Sequence, residues 1–224
     1  MNTRNININT RCVTSRLIAS LIVALPLCFA ACAVEPESGS DDVNADPKLK
    51  HCNVGPRGET TCFATFTEAI AHATGGRITD APSGPHSEAE ESAFVARVNA
   101  LEKERIANVA GGVTTNALTV LIGTVYKSPN YSLDEQTWNF LQNRGCDGNQ
   151  QISDFIVVNL NTAPYTVSDM NDNISSFHSY SNCATVMWND WYFMNAFTND
   201  GVPVVDMPSL GPAFNDQASS IAWY

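Results

Sequence analysis

Beyond Arg144 the chain carries no lysine or arginine, although eight aspartates follow: Asp147, Asp154, Asp169, Asp172, Asp190, Asp200, Asp206 and Asp216. Nucleic acid is thereby excluded as a partner, because neutralising phosphates requires Lys and Arg. Acids without basic partners form either a solvated face or a surface whose self-repulsion a divalent cation relieves. Catalytic signatures are missing as well: no H-E-x-x-H, G-x-S-x-G or P-loop occurs. The four histidines, His51, His72, His86 and His178, share no pattern, and His178 reads as a surface residue of a strand. Every acid after Arg144 is an aspartate, and Trp188, Trp191 and Trp223 stand at hairpin and strand positions, where aromatics normally fill the core. No enzymatic activity is expected. C-x-x-C spacing is absent too, which argues against a zinc site.

Apolar runs are short except for one near the start. Residues 1–16 hold Arg4, Arg11 and Arg16 and no acid, and "LIASLIVALPLCFAACA" follows. This is the build of an export signal, and "EPESGSDD" comes too soon after it for a spanning helix. The small residues before Cys32 resemble a bacterial lipoprotein cleavage site, which would make residues 1–32 the signal and Cys32 a lipidated membrane anchor. Ordinary cleavage after "ACA" is the alternative, giving a secreted chain. Losing the three arginines would shift the formal charge from −11 to about −14. After export, Cys52, Cys62, Cys146 and Cys183 remain, an even number in an oxidising compartment. Three pairings are possible; Cys52–Cys62 and Cys146–Cys183 are favoured, because each joins residues within one segment of similar character.

Residues 33–50 are polar, lack aromatics and read as a flexible tether. Residues 51–115 read as a small, mainly helical segment. Cys52 and Cys62 bracket a Gly/Pro turn, suggesting a stapled hairpin. Phe66, Ile70 and Ala73 mark a short helix stopped by Gly75–Gly76. Ser87 and Glu90 form a capping box for an amphipathic helix reaching Val109, with Phe94, Val98 and Leu101 on the face that packs. Residues 116–224 change character. "ALTVLIGTVY", "QTWNFL", "DFIVVNL", "CATVMW", "YFMNAF" and "SSIAWY" are short strand-like runs separated by turn residues, which predicts an all-β sandwich.

Within this half lies a duplication. "NDNISS" (Asn171–Ser176) and "NDQASS" (Asn215–Ser220) both read [ND]-[ND]-x-x-[ST]-Ser, and each precedes an apolar strand. Adjacent Asn and Asp favour turns through side-chain bonds to the nearby backbone. Such a turn exposes carbonyls beside a carboxylate and, three residues on, a hydroxyl. Ca²⁺ takes six to eight oxygens of this hard kind. One segment is too small to supply them, but two facing each other could share ligands between two ions. Polar turns with no metal are the plainer alternative.

The paired units resemble a βγ-crystallin domain of the microbial, calcium-binding kind. In that family each Greek-key unit opens with an aromatic-x4-aromatic-x-Gly hairpin and closes with the six-residue motif. Here the hairpins are Tyr126-x4-Tyr131 and Trp188-x4-Phe193, with Leu133 and Asn195 where glycine is expected. Asn tolerates the left-handed backbone and Leu does so poorly, so the first hairpin is expected to be distorted. The resemblance covers about residues 116–224. It implies a double Greek-key, βγ-crystallin-like sandwich binding two Ca²⁺. The implied ligands are the carboxylates of Asp172 and Asp216, the carbonyls of Asn173 and Gln217, the hydroxyls of Ser175 and Ser219, and hairpin carbonyls near Lys127 and Asn189. Asn171 and Asn215 would shape the turns, while Ser176 and Ser220 would satisfy backbone groups. Other readings of this fold are a secreted protease inhibitor and a structural or adhesive surface lipoprotein. No protein partner is legible.

Overall fold

The computed structural model describes residues 49–84, 86–111, 119–161, 170–195 and 203–224. The export signal, most of the tether, Cys32, the border at 115/116, Asp169 and Asp200 lie outside the described residues. The described residues all fall within one compact unit, residues 44–224.

Among the described residues, nine strands and two helices build the unit: β1 (His51–Val54), β2 (Thr60–Phe63), α1 (Phe66–Ala73), α2 (Glu88–Ala110), β3 (Val120–Tyr126), β4 (Thr137–Gln142), β5 (Phe155–Val157), β6 (Ser176–Ser179), β7 (Thr185–Trp188), β8 (Asp206–Met207) and β9 (Ser220–Trp223). One sheet runs β2-β1-β4-β3-β6-β8 and the other β5-β9-β7. The two Greek-key units exchange strands. β5 of the first unit pairs with β9 of the second, and β8 of the second pairs with β6 of the first. Neither unit can therefore complete its sheet alone. Both expected disulfides are formed, Cys52–Cys62 within the β1–β2 hairpin and Cys146–Cys183 between the units.

The larger sheet is buried on both faces, and strand alternation allots its side chains. Cys52, Val54, Trp138, Phe140 and Phe177 face the smaller sheet, where they meet Met187, Ile221 and Trp223. Leu121, Tyr126, Leu141 and Tyr180 face the helices, meeting Phe66, Ile70, Phe94 and Val98. A register shift between Leu121 and Gly123 lets both Ile122 and Val125 turn toward the sheet–sheet core. Gly123 sits under the Trp223 indole, where a Cβ would lie 2.7 Å from Nε1.

The helices form where expected, α2 with the expected cap and α1 with one that was not anticipated. Thr65 and Ser87 cap α1 and α2, each in a reciprocal capping box with Glu68 or Glu90. The helical segment is welded to the β domain. β1 runs parallel to β4, and buried bonds link Thr124 to Asn139 (2.8 Å), Asn139 to Asn53 (3.0 Å) and Asn53 to the Ala69 carbonyl of α1 (2.8 Å). Glu102 of α2 accepts from the Gly145 amide at 3.0 Å while paired with Arg105.

Two expectations change. "YFMNAF" is not a strand where it is described: Trp191–Phe193 is a tight turn with Tyr192 and Phe193 at φ 57° and 63°. The chain must double back there, and Phe193 packs edge-on to Trp188 at 4.9 Å. His178 is not a surface residue. It is 9% exposed on β6, turned toward α2, because strand alternation puts it on the helix-covered face.

Candidate metal centre

Both six-residue motifs form the same corner. Asp172 and Asp216 lie in the left-handed region, φ 57° and 56°, which Asp adopts more readily than most residues. The preceding asparagine fixes each carboxylate: Asn171 Nδ2 donates to Asp172 Oδ2 and Asn215 Nδ2 to Asp216 Oδ2, both at 2.6 Å. The fifth residue anchors to the opening hairpin, with the Ser175 amide on the Tyr126 carbonyl (2.9 Å) and the Ser219 amide on that of Trp188 (2.8 Å). Ser176 Oγ donates to the Ser128 carbonyl at 2.7 Å and Ser220 Oγ to that of Asp190 at 2.8 Å.

The corners also bond to each other, reciprocally. The Asp172 amide donates to the Ala218 carbonyl (3.1 Å) and the Asp216 amide to the Ile174 carbonyl (3.2 Å). This pairing carries each aspartate to the other unit's serine. Ser175 Oγ stands 3.2 Å from Asp216 Oδ1, and Ser219 Oγ stands 3.3 Å from Asp172 Oδ1. Ser175 Oγ is also 2.6 Å from the Lys127 carbonyl. Three oxygens thus meet around one hydroxyl proton, which can satisfy only one acceptor at a time. At the other crossing, Asn189 lines the same cleft as Asp172, Asp190 and Ser219, and its buried Oδ1 has no hydrogen-bond partner.

This donor set fits a hard divalent cation. Oxygens held about 2.3–2.6 Å from one Ca²⁺ lie roughly 3 Å from each other, the spacing these pairs already have. Asp216, Ser175 and the Lys127 carbonyl would hold one ion, and Asp172, Ser219 and Asn189 the other. Asn173 and Gln217 take the third position of each turn, half-buried and exposed respectively, where a carbonyl can reach outward. Among the described residues no group of three or more His, Cys, Asp or Glu could hold a metal; each crossing has one serine-facing carboxylate, the Asp172 crossing is also lined by Asp190, and the other donors are neutral oxygens. That composition suits calcium and not a softer ion.

Sequence reading missed three details. Asp190 lines the Asp172 crossing, whereas the first hairpin has Ser128 at the matching place; the contrast of "WND" with "YKS" was the available signal. Asn195 does adopt φ 56°, but the first hairpin places its left-handed residues at Asn130 and Tyr131 and leaves Leu133 with negative φ, buried at 7% exposure on the helix side. Of the three tryptophans after Arg144, Trp188 and Trp223 are core, whereas Trp191 is 48% exposed.

No protein-family profile and no curated protein matches the chain. Among solved structures, similar ones include a βγ-crystallin domain from Flavobacterium johnsoniae, 26% identical over 46% of this chain and 93% of that one, with a TM-score of 0.30. The N-terminal domain of Protein S is 15% identical over 46% and 94%, TM-score 0.32. A βγ-crystallin domain from Clostridium beijerinckii is 19% identical over 46% and 97%, TM-score 0.31. Over just under half its length, this chain resembles bacterial βγ-crystallin domains.

Proposed function

We propose that the double Greek key is a calcium-binding module taking two Ca²⁺, one at each serine–aspartate crossing, in an exported protein that is lipid-anchored through Cys32 or released. The role is binding, without catalysis. The observation that supports this most is the shortage of protons at the first crossing. Ser175 Oγ faces both the Lys127 carbonyl and the Asp216 carboxylate with a single hydrogen to give. A cation placed among these oxygens removes the surplus of acceptors, and the sequence past Arg144 offers no basic side chain to do so.

Ion binding is also folding energy, because each shell joins residues from both units and an unfolded chain cannot assemble it. At free Ca²⁺ ten times the dissociation constant, each site contributes about 1.4 kcal/mol. Calorimetric calcium titration of the chain is the test, repeated on the Ser175→Arg plus Ser219→Arg variant. The expected result is two ions per chain, lost in the variant. Absence of binding by the unsubstituted chain would end the proposal.

A further inference from the structure

Beside the Asp172 crossing the turn after β7 lines an open cleft of about 630 Å³. Trp191, Tyr192 and Met194 stand exposed along it, next to the exposed carboxylates of Asp172 and Asp190. The turn divides its aromatic run: Phe193 packs inward against Trp188, and its neighbours are left in water. They are nevertheless firmly held. The Tyr192 amide donates to the Val158 carbonyl at 3.0 Å, the Asn189 amide to that of Asn195 at 3.2 Å and the Asp190 amide to that of Met194 at 3.3 Å. Asn195 Nδ2 also donates to Asp190 Oδ2. A Greek key does not require this exposure, since the matching turn of the first unit covers Tyr131 with Tyr126 and His178. Large rings held rigidly in water cost hydrophobic free energy, which a ligand laid over them recovers without first having to order them.

We infer that this cleft binds a neutral saccharide, with Trp191 and Tyr192 as the platform for a pyranose ring and Asp190 as an acceptor for its hydroxyls. A pyranose with equatorial hydroxyls carries C–H groups on its flat faces and O–H donors around its rim. Electron-rich aromatic faces beside a carboxylate offer the complementary chemistry. The Asn195 bond takes one of the roughly four lone-pair sites of the Asp190 carboxylate. All three groups are open to solvent, so the sugar reaches them without entering the protein. An anionic sugar or phospholipid headgroup is disfavoured, because it would meet two carboxylates and no lysine or arginine.

The probes are cellotetraose, chitotetraose and mannotetraose, titrated into the ¹⁵N-labelled chain against glycerol, which has hydroxyls but no ring face. Titrations are run with calcium and with a chelator, and binding in either medium supports the inference, so the outcome is separable from whether the crossings hold calcium. Saturable amide shifts at Asp190, Trp191 and Tyr192 are expected with at least one tetrasaccharide and not with glycerol. Trp138, Trp188 and Trp223 are buried, so acrylamide quenching of fluorescence reports on Trp191, and the bound sugar is expected to reduce it at least twofold. Trp191→Ala is expected to weaken binding at least tenfold with the melting temperature unchanged, because the ring lies outside the core. Tyr192→Gly suits the φ of 57° there and is expected to weaken binding several-fold; it decides the matter if Trp191→Ala fails to fold. No saturation with any of the three sugars, an equal response to glycerol, or unchanged binding in the variants would overturn the inference. Adsorption to phosphatidylcholine vesicles with no response to any sugar would overturn it too, in favour of a membrane surface.

Discussion

The turn after β3 and the turn after β7 occupy matching places in the two units but live in different surroundings. In the first, Tyr131 packs against Tyr126 and His178 at 5.6 Å each, on the side of the sheet covered by the helices. In the second, Trp191, Tyr192 and Met194 stand 48%, 72% and 60% exposed. Yet Asp172 and Asp216 share the same φ, the same bond from the preceding asparagine and the same crossing to the other unit's serine. Local turn chemistry therefore shapes the corner, whereas the added N-terminal segment decides what surrounds it.

Stripping the cover from the first unit is the strongest way to break this comparison. Phe94 is fully buried and edge-on to both Phe66 (5.8 Å) and Tyr180 (5.9 Å), so Phe94→Ala should cost about 3–5 kcal/mol in urea unfolding. Calcium stoichiometry in that variant should stay at two; a drop to one would mean that the helices help hold the first crossing. Next in size are the disulfides. Cys146–Cys183 closes 37 residues and Cys52–Cys62 closes 10, so replacing each pair by serine should cost about 4 and about 3 kcal/mol respectively. Equal losses would show that linking the units matters no more than stapling the N-terminal hairpin.

Acid should find the helix-covered face first. Burial lowers the pKa of His51 to about 4, assisted by Lys50 and opposed by Glu68. The unfolded chain takes up that proton near pH 6.5, before the folded one does. The stability is therefore fully present above about pH 6.5 and is lost as pH falls toward 4, at most about 3 kcal/mol. Melting curves between pH 7 and 4 should show this slope, and His51→Gln should flatten it. The smallest effects belong to the crossings. Asp172→Asn and Asp216→Asn should each remove about 1.4 kcal/mol of calcium-dependent stability at ten times the dissociation constant. Asp190→Asn should weaken only the Asp172 crossing, by a few-fold in calorimetry, because the first unit has Ser128 at the matching place.

Most strands, the cap of α2 and both disulfides were legible in the sequence because their signals are short-range. Alternating apolar residues, a capping serine followed by Glu90, and paired cysteines within like segments need no knowledge of the fold. The turn at Trp191–Phe193 was not legible, since its aromatic run has the composition of a strand and only the need to reverse the chain makes it a turn. His178 was misjudged for a similar cause: whether a strand face is wet depends on what lies over it, and α2 is about 80 residues away in sequence.

By itself, the sequence determined that two acidic, hydroxyl-bearing corners would form, because adjacent Asn and Asp favour a turn and the asparagine side chain can hold its neighbouring carboxylate. It also settled that no basic side chain after Arg144 could neutralise them. Only the tertiary structure decided that the corners exchange partners, bringing Ser175 to Asp216 and Ser219 to Asp172, for β5 and β8 each pair with a strand of the other unit and bring the two ends together. The same packing placed Glu91 of a distant helix beside His178 of a strand. Contacts between residues so far apart in the chain depend on how whole surfaces close on one another, which no local pattern encodes.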